Sequence, residues 1–145
     1  MVLDVNQIGN QGAKILADAL QKNQTLAVLS LISCEIGPDG AQYLANSLQI
    51  NTVRSGVLFF ISVYYSTQSL TTLNLRWNDI GLLGAKYLGE ALQNNQVTFK
   101  YIFVLRQYTF QTLTTLDLQG NNIGSLGAES LGIALQRNQV RSSTC

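Results

Sequence analysis

The chain has 145 residues, 46% of them hydrophobic and 12% charged, with a formal net charge of +1. That is enough for one domain, and it leaves no basic footprint for nucleic acid and no cationic helix for a membrane surface. It contains no histidine, which excludes histidine-based triads and most zinc sites, and its two cysteines make no disulfide framework.

Taken in chain order, the sequence is a repeat of 28 residues interrupted twice at the same point. A truncated unit, Met1–Gln24, comes first. Complete units follow at Thr25–Thr52, Ser69–Gln96 and Thr112–Gln139. A period of this length predicts a solenoid, because one unit cannot bury its own apolar face and must stack on its neighbours.

Each unit opens on a short strand. Leu29, Leu73 and Leu116 share one column, and Leu3, Leu31, Leu75 and Leu118 share the next. The runs L-T-T-L-N-L and L-T-T-L-D-L alternate apolar and polar residues, which predicts parallel strands near Val28–Leu31, Thr72–Leu75 and Thr115–Leu118. A polar or thiol column follows, at Asn6, Cys34, Asn78 and Asn121. A small polar side chain there can bond the backbone where the chain leaves the strand. Then come Ile8, Ile36, Ile80 and Ile123, and a Gly-x-x-Gly-Ala turn. These glycine pairs recur in every unit and lack the lysine and hydroxyl of a phosphate loop, so they read as turns.

The second half of each unit predicts a helix, over Gly40–Gln49, Gly84–Gln93 and Gly127–Gln136. Ala85, Leu88, Ala91 and Leu92 form one apolar stripe at helical spacing, and Ala13, Leu16, Ala19 and Leu20 repeat it. Asn23, Asn51, Asn95 and Asn138 are read as ending these helices through a left-handed cap.

The whole pattern, L-x-x-L-x-L-x-x-(N/C)-x-I-G-x-x-G-A-x-x-L-x-x-A-L-Q-x-N, resembles the leucine-rich repeats of the ribonuclease-inhibitor type. That subtype also forms the C-terminal sensor region of NOD-like receptors and the body of Ran GTPase-activating proteins. The resemblance implies an α/β fold, a right-handed βα superhelix forming part of a horseshoe, with the strands on its concave side. The thiol at Cys34 fits the family's alternation of Asn and Cys in that column.

Two segments fall outside the repeat, Val53–Gln68 and Val97–Gln111. Both enter after the helix, begin with Val and end with Gln, and together hold nine of the twelve aromatic residues. Two readings stand. They are retained introns, since a phase-zero intron opens with a valine codon and closes with a glutamine codon, or they are loop insertions of the kind solenoids accept. Neither carries the repeat columns, so neither should add a unit. Residues 140–145 read as an irregular tail. Met1 falls inside a repeat with no secretory signal before it, which predicts a cytoplasmic protein and an N-terminal fragment of a longer array. The longest apolar run, within Gly56–Tyr65, is too short to span a bilayer.

No pairing of acids, thiols or bases carries a reaction, so the expectation is a non-enzymatic protein-binding module without metal or cofactor, part of an intracellular receptor or regulator. Its partner is another protein, not nucleic acid or membrane. The alternatives are a GTPase-activating repeat protein and a non-functional product of mis-splicing. The candidate binding residues lie between the strand leucines, because strand side chains alternate. They are Ser30, Ile32, Asn74, Arg76, Trp77, Asp117 and Gln119. Trp77 and Arg76 are the sharpest pair, since these residue types dominate interface hot spots. Two roles stand for Trp77, contact with a partner or packing along the ridge, and Asp117 is placed to pair with Arg76 across strands.

Overall fold

The computed structural model of the chain describes residues 1–23, 25–49, 70–94, 96–98, 109–111 and 113–142. Their elements are α1 (Gly9–Leu20), β1 (Val28–Ser30), α2 (Pro38–Gln49), β2 (Thr72–Asn74), α3 (Gly81–Asn94), β3 (Gln96–Thr98), β4 (Thr109–Gln111), β5 (Thr115–Asp117) and α4 (Gly124–Ser142). The strands β1, β2 and β5 form one parallel sheet in that order. Leu29 is in register with Leu73, and Leu73 with Leu116. The truncated unit extends the same sheet. Val2 bridges to Ser30, the Leu3 N–H donates to the Ser30 carbonyl at 3.0 Å, and the N-terminal ammonium donates to the Val28 carbonyl at 2.6 Å. The helices pack in sequence, α1 on α2, α2 on α3 and α3 on α4.

The leucine columns make the core between sheet and helices. Leu29, Leu31, Leu73, Leu75, Ile36, Ile80, Leu44 and Leu88 are buried. Fully burying one such side chain stabilises the fold by roughly 2 kcal/mol. Each repeat column therefore acts as a continuous apolar seam through the stack, and this seam explains why the units share residues so closely there.

The asparagine column holds the strand exits together across units. Asn78 Oδ1 accepts from the N–H of Cys34 and of Ile36, both at 3.0 Å, in the preceding unit. Its Nδ2 donates to the carbonyls of Leu31 and Leu75 at 2.8 and 2.9 Å. Asn121 repeats this one unit on, donating to Leu75 and Leu118 at 2.8 and 3.0 Å. The column thus bonds the neighbouring unit as well as its own turn. Cys34 takes the same place with a buried free thiol, which donates to the Leu3 carbonyl at 3.2 Å.

Several boundaries differ from the sequence expectation. The strands end one residue earlier, at Ser30, Asn74 and Asp117. The helices begin two or three residues earlier, at Pro38, Gly81 and Gly124. Gly81 and Gly124 have φ of +62° and +66°, so the first glycine of the turn supplies the left-handed entry to the helix and the second already lies inside it. Asn23 does not take the left-handed conformation. Its side chain accepts from the N–H of Thr25 and Leu26 at 3.0 and 2.7 Å, an Asx turn into the next unit. Asn138 ends nothing, because α4 runs through it to Ser142, and residues 140–142 are helical rather than an irregular tail. Asn51 and Asn95 lie outside the described residues, as does the first interruption, 53–68. Gln96, the last residue of its unit, and the described ends of the second interruption form a separate antiparallel pair, β3 with β4, with Gln96 opposite Gln111.

Candidate protein-binding surface

The sheet face turned away from the helices is set by the same alternation that buries the leucines. Three columns of side chains emerge on it: Val2, Ser30, Asn74 and Asp117; then Asp4, Ile32, Arg76 and Gln119; then Val5, Ser33, Trp77 and Gly120. The last column turns the chain off the strand in the left-handed region, with φ of +57° at Val5, +53° at Ser33, +53° at Trp77 and +73° at Gly120. For residues other than glycine this costs on the order of 1 kcal/mol each. A hydrogen bond to the next unit fixes it at the first three. The N–H of Val5 donates to Ile32 at 2.7 Å, that of Ser33 to Arg76 at 3.0 Å, and that of Trp77 to Gln119 at 2.8 Å. The unusual backbone is therefore part of the stack and not a mark of one special residue.

Trp77 is the largest apolar side chain that the described residues present on this face, 57% exposed. Its indole lies against Gly120 of the next unit, where an added methyl would run into the ring. The ring therefore packs along the ridge against Gly120 while more than half of the residue stays exposed. Arg76 and Asp117 do approach across strands, with Nε 3.8 Å from Oδ2. That is an ion pair but too long for a hydrogen bond. Arg76 Nε is buried with no hydrogen-bond partner. Asp117 Oδ1 instead accepts from the Gln119 N–H at 3.1 Å, and Asn74 Oδ1 likewise accepts from the Arg76 N–H at 3.1 Å. Arg76, Trp77, Asn74, Asp117 and Gln119 are thus brought together on two adjacent units.

Ser30 and Ile32 stand apart from this group. Ser30 is buried, and its hydroxyl donates to Asp4 Oδ1 at 2.6 Å. The Ile32 N–H donates to the same oxygen at 2.9 Å. Ser30 loses its expected exposure on the face to Asp4, a residue the sequence reading does not single out, while Ile32 stays half-buried like Arg76. Asp4 lies in the truncated unit, in a column with no shared residue type. The available signal was its position, one residue after the Leu3 of the strand, beside Ile32 in the register.

Among the described residues no group of three or more His, Cys, Asp or Glu is placed to hold a metal ion. No described helix is long and apolar enough to cross a membrane.

Residues 22–45, 67–89 and 111–132 each match the leucine-rich repeat family, and most of both interruptions falls between the matches. No curated protein sequence matches the chain. Among solved structures, the chain is similar in fold to the Leiomodin-1 Actin-Binding Site 2 fragment, at 16% identity and a TM-score of 0.55, with 96% of this chain and 82% of that chain covered. Three segments of the chain thus match the leucine-rich repeat, and the strands within them form one parallel sheet backed by helices.

Proposed function

We propose that this chain is a protein-binding module that engages its partner through the outer face of the sheet, centred on Arg76 and Trp77. The carrying observation is the exposed indole of Trp77, held against Gly120 of the next unit and next in sequence to Arg76. A rigid aromatic with one side already packed loses little freedom on binding, and Trp and Arg are the residue types that concentrate interface energy. The solved structure with the similar fold is described as an actin-binding site, which supports protein binding as a use of this architecture and says nothing of which protein binds here. In this reading the units continue the right-handed horseshoe of the ribonuclease-inhibitor type, with the face concave, and the protein is a cytoplasmic receptor or regulator and not an enzyme. The free buried thiol of Cys34 suits a reducing compartment.

The test is affinity capture with the full chain, followed by calorimetry on the captured protein. Trp77→Ala and Arg76→Ala should each weaken binding by about 2 kcal/mol, roughly thirtyfold, and Lys86→Ala on the helical side should leave it unchanged. Equal affinities for all three variants would move the interface off the sheet face.

A further inference from the structure

We propose that the edge where the strands pass into α3 and α4 docks a basic, amphipathic helix of a partner protein, through a patch of leucines rimmed by unpaired carboxylates. This surface goes beyond the sheet face and uses neither Arg76 nor Trp77. Its apolar part lies in the Gly-x-x-Gly turns. The two residues between the glycines are Asn10 and Gln11, then Pro38 and Asp39, then Leu82 and Leu83, then Ser125 and Leu126. The repeat therefore does not require leucine there, yet α3 and α4 carry three. Leu82, Leu83 and Leu126 are 40%, 54% and 60% exposed. Leu83 stays exposed although α4 packs on its helix, so the exposure belongs to the column and not to a unit's place in the array. The leucines adjoin across the two units. A methyl built on Gly127 would lie 3.7 Å from the Leu82 Cα, and Leu126 directly precedes Gly127. Leucines left in water add little to folding, and a partner that covers them gains their burial.

Charge names the partner. Five of the eight acidic residues, Asp4, Glu35, Asp39, Asp79 and Asp117, fall between the sheet and the first turn of the helix that follows. Among the described residues the one cation in those stretches is Arg76, which faces Asp117. Lys14, Lys22, Lys86, Arg137 and Arg141 lie within the helices or just after α1. Asp4 and Asp117 are occupied by bonds within the chain. Glu35, Asp39 and Asp79 are exposed, and among the described residues their carboxylates accept no hydrogen bond and meet no cation. They border the leucines. The Asp79 N–H donates to the Ile36 carbonyl at 3.1 Å, which sets the loop of Asp79 against that of Glu35. Asp39 holds the place of Leu83 one unit earlier, and a methyl on Gly84 would lie 2.9 Å from the Ala41 Cβ, so these two helix starts adjoin. The partial positive charge of a helix N-terminus fades within its first turn, so the full carboxylate charges set the sign that a partner meets. The spacing suits a helix. Packed helix axes lie about 9 Å apart, and positions i and i+7 of a helix are about 10 Å apart. One helix laid across α2, α3 and α4 can therefore bring apolar turns over Leu83 and Leu126 and a lysine or arginine to Asp39 and Asp79.

Fluorescence anisotropy on the full chain tests this, with a labelled synthetic helix of leucine and lysine whose leucines recur at i, i+3, i+4 and i+7, and with the same peptide carrying glutamate in place of lysine. The lysine peptide should bind, less tightly as salt rises, and the glutamate peptide should not. Leu83→Ser and Leu126→Ser should each weaken binding about tenfold, the loss expected for one leucine contact. Asp79→Asn and Glu35→Gln should each weaken it about threefold and flatten the salt dependence. All four side chains are exposed, so each variant should keep the parent's circular dichroism. Trp77→Ala should leave the lysine peptide bound, which separates this surface from the sheet face. Binding lost in Trp77→Ala but kept in Leu83→Ser would put the peptide on the sheet face and overturn the proposal. No binding, equal binding of the two peptides, or an affinity that neither leucine variant changes would also overturn it. So would self-association of the parent chain that Leu126→Ser abolishes in sedimentation velocity, since the patch would then belong to a second copy.

Discussion

Two corners of the same sheet face treat their polar groups differently. At the N-terminal corner Asp4 closes the surface on itself, since one carboxylate oxygen satisfies both the Ser30 hydroxyl and the Ile32 N–H. At the C-terminal corner Arg76 and Asp117 stand 3.8 Å apart, Arg76 Nε bonds nothing, and Trp77 lies open beside them. Polar groups already satisfied within the chain contribute to folding and offer little to a partner. A partly exposed, loosely paired charge contributes little to folding and keeps its bonding capacity for a partner. In the proposed function, this difference favours the C-terminal half of a face that a repeat would otherwise make uniform.

The comparison can be broken by substitutions that exchange these roles. The largest effect should come from Asn78, which lies beneath both corners and joins two units. Asn78→Ala leaves the N–H groups of Cys34 and Ile36 and the carbonyl of Leu31 without their side-chain partner, and should cost about 3 kcal/mol or more in urea denaturation. Gly120→Ala comes next. It places a methyl against the Trp77 ring and a side chain at φ +73°, so it should cost about 2 kcal/mol and change the tryptophan fluorescence. A spectrum identical to that of the parent would show that the indole does not rest on Gly120. Asp4→Ala should cost about 1.5 kcal/mol while leaving affinity for a captured partner unchanged. If it weakened binding as much as Trp77→Ala does, the closed corner would belong to the interface after all.

The smallest effect concerns Cys34. Burial pushes its thiol above the ordinary value of 9.0, the carboxylate of Asp4 adds to this, and backbone hydrogen bonds from Asn6 and Val5 oppose it. The unfolded chain then releases this proton first as pH rises. The contribution to stability is fully present below about pH 9 and declines as pH climbs toward the folded value. Denaturation midpoints measured upward from neutral pH should be unaffected by this group until that range and then fall. Cys34→Ala should remove that part of the decline.

The repeat made the fold legible. Leucine and isoleucine columns mark positions that every unit buries in the same way, so three strands were placed to within one residue and the helices to within three at their starts. Positions set by contacts between units were harder to read. Asn23 follows the same helical pattern as Asn138, yet one makes an Asx turn and the other lies within a helix that continues. On the outer sheet face, Arg76 and Asp117 are legible as a cross-strand pair because adjacent columns and opposite charges suffice for that inference. Alternation reads Ser30 as open because it does not register a carboxylate arriving from a neighbouring strand. The left-handed turn at Trp77 was visible only through Gly120, the one member of its column whose identity advertises that backbone.

The antiparallel pairing of β3 with β4 has a consequence of another kind. Gln96 and Gln111 are direct partners, so the chain leaves and re-enters at points about 5 Å apart. Gln96 follows closely on the end of α3, and Gln111 precedes β5 by only a few residues. Whatever lies between them hangs from a single gate whose width does not depend on its length. The site works as a socket in the chain, where sequence can be lengthened, exchanged or removed while the spacing between α3 and β5 stays set by the stack, and this makes it the natural place to splice a reporter domain into the protein.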